Sequence, residues 1–413
     1  MSDKLEIALL GRRLGHSLSP EIHEYLGSYD YKLFELEPEE LDAFFIRDDF
    51  RGLNVTIPYK LDVVKYCNEL SETARRIGCV NTILRRPDNS FFGDNTDYYG
   101  FSYMAKSAGI SFENKKVLIL GNGGASLTAR LVAADEGASS VVIVARRLED
   151  NFTNIGRHRD AQVIVNCTPV GMYPNNGERI VDLSIFTELE GVLDMIYNPA
   201  RPPLLLDAAD RGIKNANGLA MLVAQAAKSA EYFRTDKDTG YDIETIVDKI
   251  SRAQKNIVFI GMPGCGKSTL GKAIAEVLGR DYIDTDDMIV EKAGKPIPQI
   301  FADHGEEYFR DLESECIKDA GKLSGKVIAT GGGAILRSQN RDAIRQNSFV
   351  IFLKRDLSRL SKKGRPLSKD NFALEAMYKQ RLPLYELTSD AEMDVCAEKA
   401  DTLNNLLKLL ESM

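Results

Sequence analysis

Lys255 to Gly279 reads KNIVFIGMPGCGKSTLGKAIAEVLG. Ile257-Val258-Phe259-Ile260 is a short apolar run of β-forming residues. Gly261 to Ser268 then fits G-x-x-x-x-G-K-[ST], and a helical pattern begins at Thr269. Leu270, Ile274, Val277 and Leu278 fall along one face of that helix, and Gly279 can cap its end. Strand, glycine loop and helix N-terminus form a phosphate cradle, because successive backbone N–H groups and the positive helix end converge on one anion. In such a loop Lys267 reaches the β- and γ-phosphate oxygens, and the Ser268 hydroxyl faces magnesium. Gly261, Met262, Pro263, Gly264, Cys265, Gly266, Lys267, Ser268 and Thr269 are therefore expected to bind a nucleoside triphosphate. Cys265 is either a reactive thiol among converging N–H groups or a small filler pointing away from the phosphates. The motif lies well past the middle of the chain, so a large domain must precede it.

The length of 413 residues suits two or three domains. With 44% apolar and 28% charged residues, the composition is that of a globular chain with substantial cores. A net charge of −8 argues against broad nucleic-acid binding, and no apolar run approaches the length that spans a bilayer. The opening MSDKLEIALLG is acidic where a signal peptide would be basic. Six cysteines are scattered without C-x-x-C spacing, which suits a reducing cytoplasm. His16, His23, His158 and His304 are not in metal-ligand spacing.

In the first domain Leu5 to Leu10 reads as a strand, followed by a polar loop and a short helix from Pro20 to Leu26. Ser19 is either the N-cap of that helix or, with Ser17, a donor to a bound anion. Leu53 to Lys60 (LNVTIPYK) brings Thr56 and Lys60 to a strand end. Val80-Asn81-Thr82 and Asn95-Thr96-Asp97 lie at the edges of apolar runs, and a lysine oriented by an aspartate is a plausible acid–base unit. Phe101 to Ala108 is expected to be helical. Val117 to Leu120 leads into Gly121-Asn122-Gly123-Gly124-Ala125-Ser126 and a helix from Leu127 to Glu136. That is a dinucleotide fingerprint with Ser126 in place of its third glycine. The strand Ser140–Ala145 ends in Arg146-Arg147 where an NAD enzyme would carry an acid, so a 2′-phosphate and hence NADP is favoured. Val163 to Met172 reads as a strand ending in a turn and Gly191–Tyr197 as a further strand, then a helix Asn217–Phe233 follows. Gln225 lies on its apolar stripe, where a buried amide needs partners that a ligand could supply.

These motifs together (GHSLSP, NVTIPYK, CVNT, GDNTD, LILGNGGAS, NCTPVGM, LDMIY, NGLAMLVAQA) resemble shikimate dehydrogenase, in that family's order, over residues 1 to about 250. The resemblance implies that Ser17 and Ser19 hold the substrate carboxylate. It implies that Thr56, Asn81, Asp97 and Gln225 hold the ring hydroxyls, with Tyr197 on the substrate side. Lys60, assisted by Asp97, would shuttle the proton. NADP would lie along Gly121, Asn122, Gly123, Gly124, Ala125 and Ser126, with Arg146, Thr168, Met195 and Gly218. Two departures stand out. Ala145-Arg146-Arg147 keeps only the arginine of the family's Asn-Arg-Thr turn, and the interval to Asn166 lacks a full helix-plus-strand unit.

Thr235 to Gly240 is a polar turn. Tyr241 to Ala253 carries Ile243, Ile246, Val247 and Ile250 at helical spacing and is expected to close the first domain. After the phosphate loop comes Tyr282-Ile283-Asp284-Thr285-Asp286-Asp287, and an aspartate at a strand end beside such a loop is an expected position near magnesium. With Gly305 to Glu313 (GEEYFRDLE), Thr330-Gly331-Gly332-Gly333, Gly364-Arg365-Pro366-Leu367 and Arg381 to Tyr385, the order resembles shikimate kinase over residues 256 to about 390. The resemblance implies that ATP is the nucleotide and that Ser268 and Asp284 serve magnesium. Asp286 would be the partner of the attacking hydroxyl, with Lys267 and a lid residue, Arg365, on the phosphates. Arg310 and Arg381 would bind the carboxylate, and Phe309, Glu313, Gly332 and Gly333 would line the pocket.

The expected fold is α/β. A two-subdomain dehydrogenase (residues 1–252) has its substrate part in 1–101 and about 219–252, and its Rossmann-like NADP part in about 102–218. A P-loop kinase with a parallel sheet follows at 255–413. The expected activity is bifunctional: NADPH-dependent reduction of 3-dehydroshikimate, then phosphorylation of shikimate by ATP. The alternatives are a quinate-oxidising dehydrogenase joined to the kinase, or a regulatory protein built from decayed domains.

Overall fold

The computed structural model describes residues 6–15, 17–27, 29–47, 49–234, 242–360 and 371–411. The chain divides into two compact units. One is drawn from residues 1–169, 181–197 and 207–250, the other from 170–180, 198–206 and 251–413.

The first unit holds two sheets. Strands β1 (Glu6–Gly11), β2 (Tyr31–Glu35), β3 (Phe50–Val55), β4 (Glu69–Leu70), β5 (Thr82–Arg85) and β6 (Phe91–Asp94) form a mixed sheet in the order β2-β1-β3-β5-β6-β4. Strands β7 (Lys116–Leu120), β8 (Ser140–Val144), β9 (Val163–Asn166), β10 (Gly191–Asp194) and β11 (Lys214–Ala216) form a parallel sheet in the order β11-β10-β9-β7-β8. The order reverses between β7 and β9, which opens a crevice at their carboxyl ends. Residues 117–120 of β7 and all of β9 are buried, as expected for parallel strands covered on both faces. β8 is an edge strand, and only the 3-10 turn Ile155–His158 lies between it and β9. In line with the shortened interval anticipated from sequence, no helix-plus-strand unit stands between β8 and β9 among the described residues.

The alanine-rich helix Leu219–Phe233 joins the two parts. Small side chains let the helix Asp97–Ser107 approach it closely. A β-carbon at Gly100 would lie 2.6 Å from the Met221 carbonyl oxygen. The helix Ile243–Gln254 buries Ile243, Ile246 and Ile250 in the same cluster as Ile22, Leu219 and Val223, so it does close this unit. The polar turn 235–240 lies outside the described residues.

The second unit has one parallel sheet in the order β13-β14-β12-β15-β16. Its strands are β12 (Asn256–Ile260), β13 (Tyr282–Asp284), β14 (Val327–Ala329), β15 (Ser348–Lys354) and β16 (Ala391–Asp394). β12 is central and completely buried.

Several local expectations change. The first helix spans Ser19–Leu26 with Leu18 at its N-cap, so Ser19 is inside the helix and does not cap it. The helix after the dinucleotide loop begins at Gly124, not Leu127, and the one after the phosphate loop begins at Lys267, not Thr269. Glycines and the P-loop lysine carry no apolar signal, so periodicity places both helix starts too late. Val277 and Leu278 are 54% and 38% exposed, whereas Leu270 and Ile274 are buried, so the apolar stripe is not buried to the end of the helix.

Gly100→Ala tests the close helix crossing. Helix propensity favours alanine by up to about 1 kcal/mol. Here the added methyl meets a backbone carbonyl that cannot step aside, and overpacking costs about 1–3 kcal/mol. The expected result is roughly tenfold or more faster hydrogen exchange in the helices Asp97–Ser107 and Leu219–Phe233. Unchanged protection would show that the helices separate freely.

Candidate active sites

In the first unit Lys60, Asn81, Asp97 and Gln225, predicted from four separate segments, form one hydrogen-bonded cluster. Lys60 Nζ donates to Asp97 Oδ2 at 2.5 Å, and Asn81 Nδ2 donates to Asp97 Oδ1 at 2.9 Å. Asp97 opens its helix, so its carboxylate also sits at the positive end of the helix dipole. Asn81 is locked from behind. Its Oδ1 accepts from the Thr96 N–H at 2.7 Å and from the Thr82 hydroxyl at 3.1 Å. Gln225 Oε1 accepts weakly from Asn81 and Thr96 (3.4 Å each), while its amide donates to the Leu222 carbonyl. The Ser17 hydroxyl donates to Ser19 Oγ at 3.1 Å and accepts from the Ser19 N–H at 3.2 Å. Thr56 follows β3, bonded through its N–H to the Leu10 carbonyl at 2.9 Å. Tyr197 is partly buried in the apolar cluster beside Leu219 and Ile22, and burial raises its phenol above the usual range.

At the crevice of the parallel sheet, Gly121 has φ +103°, and a β-carbon there would lie 2.9 Å from the Thr168 methyl. Asn122 to Ala125 are exposed at the start of the helix Gly124–Asp135. Nothing lies within 4 Å of a β-carbon built on Gly123 or Gly124. An open, glycine-lined helix N-terminus fits a pyrophosphate. Ser126 replaces the third glycine by turning inward, its hydroxyl donating to the Gly123 carbonyl at 2.6 Å. Arg146 and Arg147 are both exposed just beyond β8.

In the second unit the phosphate loop takes φ +142° at Gly261, +82° at Gly264 and +112° at Gly266. Lys267 Nζ is held by the carbonyls of Gly261 (2.9 Å) and Met262 (3.0 Å). The Ser268 hydroxyl donates to Asp284 Oδ2 at 2.8 Å, so the two groups share one spot, a donor set suited to magnesium and its waters. Cys265 settles the choice left open by its sequence. It is completely buried, its sulfur 3.9 Å from Lys267 Nζ on the core side of the loop. It is a filler of the core side of the loop, and its thiol is not accessible.

Beside the loop is a cavity of about 440 Å³. Asp286, Phe309, Arg310 and Glu313 line one side, and Gly332, Gly333 and Arg381 another. Burial, and next the charge of Asp284, push Asp286 up to about 6. Arg310 pairs with Glu313 at 2.7 Å and Glu306 at 3.0 Å, and Arg381 donates to the Gly332 carbonyl at 3.0 Å. Glu313 Oε1 and Arg381 Nε are buried without a partner among the described residues, so the cavity holds polar atoms that a ligand can satisfy. Arg365 lies outside the described residues.

Sequence reasoning overlooked Glu306 and Tyr385. Glu306 stands four residues before Arg310 on one helix, a spacing that signals such a pair. The Tyr385 hydroxyl donates to the Gly332 carbonyl at 2.6 Å across 53 residues, which no local pattern announces.

Residues 9–83 match the family model of the shikimate dehydrogenase substrate binding domain, and residues 263–411 match that of shikimate kinase. A shikimate dehydrogenase (NADP(+)) of Clostridium beijerinckii is 34% identical over 247 residues, 55% of this chain and 90% of that protein. The crystal structure of a chorismate mutase/shikimate 5-dehydrogenase fusion protein from Clostridium acetobutylicum is similar with a TM-score of 0.54. It is 38% identical and covers 59% of this chain and 94% of that one. Shikimate 5-dehydrogenase from Thermus thermophilus, in complex with NADP(H) and shikimate, has a TM-score of 0.53. It is 28% identical and covers 59% of this chain and 99% of that one.

Burial of Cys265 is checked by brief alkylation of the native protein and mass spectrometry. Cys396, partly exposed, is expected to be labelled, and Cys265 to remain free until the protein unfolds. Equal labelling of the two would mean that the phosphate loop opens readily.

Proposed function

The chain belongs to the shikimate dehydrogenase family and carries a shikimate kinase domain behind it, and on that footing we propose how its residues carry two consecutive reactions of the shikimate pathway. The observation that carries the reading is the Lys60–Asp97 pair, a cation fixed by a carboxylate that Asn81 orients in turn.

In the first reaction 3-dehydroshikimate is reduced to shikimate. The glycine crevice, with Arg146 for the 2′-phosphate, would hold NADPH, which would supply the hydride. The Lys60 ammonium gives its proton to the substrate oxygen as negative charge develops there, and Asp97 keeps that ammonium aimed. Asn81, Thr56 and Gln225 hold ring hydroxyls, and Ser17 and Ser19 donate to the carboxylate.

In the second reaction shikimate enters the other cavity, with its carboxylate on Arg310 and Arg381. Both guanidiniums have N–H groups beyond those already used. Asp286 takes the proton of the 3-hydroxyl as that oxygen attacks the γ-phosphorus of ATP. Lys267 and the loop N–H groups stabilise the transferring phosphoryl group, so rate comes from position and charge more than from covalent help. Magnesium on Ser268 and, through water, Asp284 would neutralise phosphate charge. Retention of Lys60, Asp97, Lys267 and Asp286 in these positions disfavours a decayed, purely regulatory protein. The six cysteines are all free, which supports placing the enzyme in a reducing cytoplasm. Among the described residues no helix is long and apolar enough to cross a membrane.

Two measurements test the assignment. Lys60→Ala is expected to lower dehydrogenase turnover about 10²- to 10⁴-fold and leave the kinase near wild type, and Lys267→Ala to do the reverse. Loss of both activities from either change in a folded protein would sink the two-site reading. The second measurement uses pH. A base works ionised, so with Asp286 at about 6 the kinase kcat/KM is full above that pH. It then falls roughly tenfold per unit below it. A profile flat from pH 7 to pH 5 would remove Asp286 from that role.

A further inference from the structure

Asp194 ends β10 with no exposed surface. Its Oδ1 accepts from Asn166 Nδ2 and from the Ile196 N–H, both at 3.0 Å. Its Oδ2 is buried and meets no hydrogen-bond partner among the described residues. A buried carboxyl is costly, and burial pushes this one up to about 7 against the pull of its two donors. An apolar residue would end the strand without that cost, so the position calls for an acceptor.

What the acceptor joins is visible in the surrounding bonds. Asn166 is its direct neighbour in the register of β9 and β10. Asn166 Oδ1 accepts from the Thr168 N–H at 3.0 Å and the Thr168 hydroxyl at 2.7 Å. The Asn166 carbonyl accepts from the Met195 N–H at 3.0 Å, and the Ile196 carbonyl accepts from the Gly218 N–H at 3.0 Å. A β-carbon on Gly218 would lie 2.2 Å from the Met195 carbonyl oxygen, so these segments have no slack. One carboxylate oxygen therefore ties together the segments that carry Thr168, Met195 and Gly218.

We infer that Asp194 is a positioning residue of the dehydrogenase reaction, acting through Asn166 and Ile196 to hold Thr168, Met195 and Gly218 in one arrangement at the cofactor. The inference rests on the reading of this sheet edge as the NADP site. Asp194 touches neither cofactor nor substrate, and its effect falls on NADP and not on the ring-binding cluster around Lys60.

The test uses the full chain, with KM for NADP and for shikimate measured separately in the oxidation direction. Asp194→Ala is expected to raise the KM for NADP at least tenfold and to move the KM for shikimate less than threefold. Asp194→Asn keeps an oxygen for both donors and is expected to restore the KM for NADP to within threefold of wild type. Should the alanine variant not fold, Asp194→Thr, of similar volume with a single acceptor, takes its place. For that variant the expected rise is at least threefold in the KM for NADP alone. Gly124→Asp, in open space at the helix N-terminus, tests the cofactor site itself by opposing the pyrophosphate charge. If Gly124→Asp weakens NADP and the Asp194 variants do not, or if they move both KM values together, the positioning role is overturned. If Gly124→Asp also leaves NADP unaffected, the cofactor-site reading falls and the inference with it.

Discussion

At two places the chain turns out of a buried parallel strand with no room for a β-carbon. After β7, a β-carbon on Gly121 would stand 2.9 Å from the Thr168 methyl and 3.2 Å from the Cys167 carbonyl oxygen. After β12, one on Gly261 would stand 2.6 Å from the carbonyl oxygen of Leu353. Both glycines also take a positive φ that side chains disfavour. These closures let β7 and β12 turn into a helix whose first N–H groups point to the sheet's carboxyl edge. The glycine loops of both units lie at such an edge. The other candidate residues come largely from helices: Asp97 and Gln225 stand on Asp97–Ser107 and Leu219–Phe233, Arg310 and Glu313 on Ile297–Gly321, and Arg381 on Asn371–Thr388.

The reactive groups are held by one another before any ligand arrives. Asp97 stands between Lys60 and Asn81, and Arg310 stands between Glu306 and Glu313. Such pairs give up little net stability in exchange for fixed orientation, because a buried charge without a partner would cost several kcal/mol. Fixed dipoles and charges need no reorganisation when the substrate's charge develops, which is how a protein site outperforms water. The carboxylates differ by environment. Asp286 is raised to about 6 by burial beside Asp284, whereas Asp42 at the surface is lowered by its Tyr66 and Lys65 partners.

Much of this was legible in the chain itself. Runs such as VLIL and IVFI mark strands buried on both faces, and the glycine spacings after them mark phosphate turns. Ile243, Ile246 and Ile250 announce the helix that closes the first unit. Errors fell where a local rule had a competitor. Ser19 looks like a cap but sits inside its helix, since Leu18 already takes the cap position. Val277 and Leu278 keep the period of Leu270 and Ile274 but are exposed. Cys265 lies between two glycines of an anion loop, yet its side chain faces the core.

The sequence by itself determined the α/β class, the order of the two catalytic halves and the two glycine loops. Those features depend on spacing along the chain, which local geometry converts directly into a strand, a turn or a helix start. Only the tertiary structure decided which polar groups meet. Asn81 and Gln225 touch across 144 residues, Tyr385 and Gly332 across 53, and Asn166 and Asp194 across 28. Those partnerships are set by the register and order of strands, and the cost of an unpaired buried polar atom selects them only once the strands are side by side.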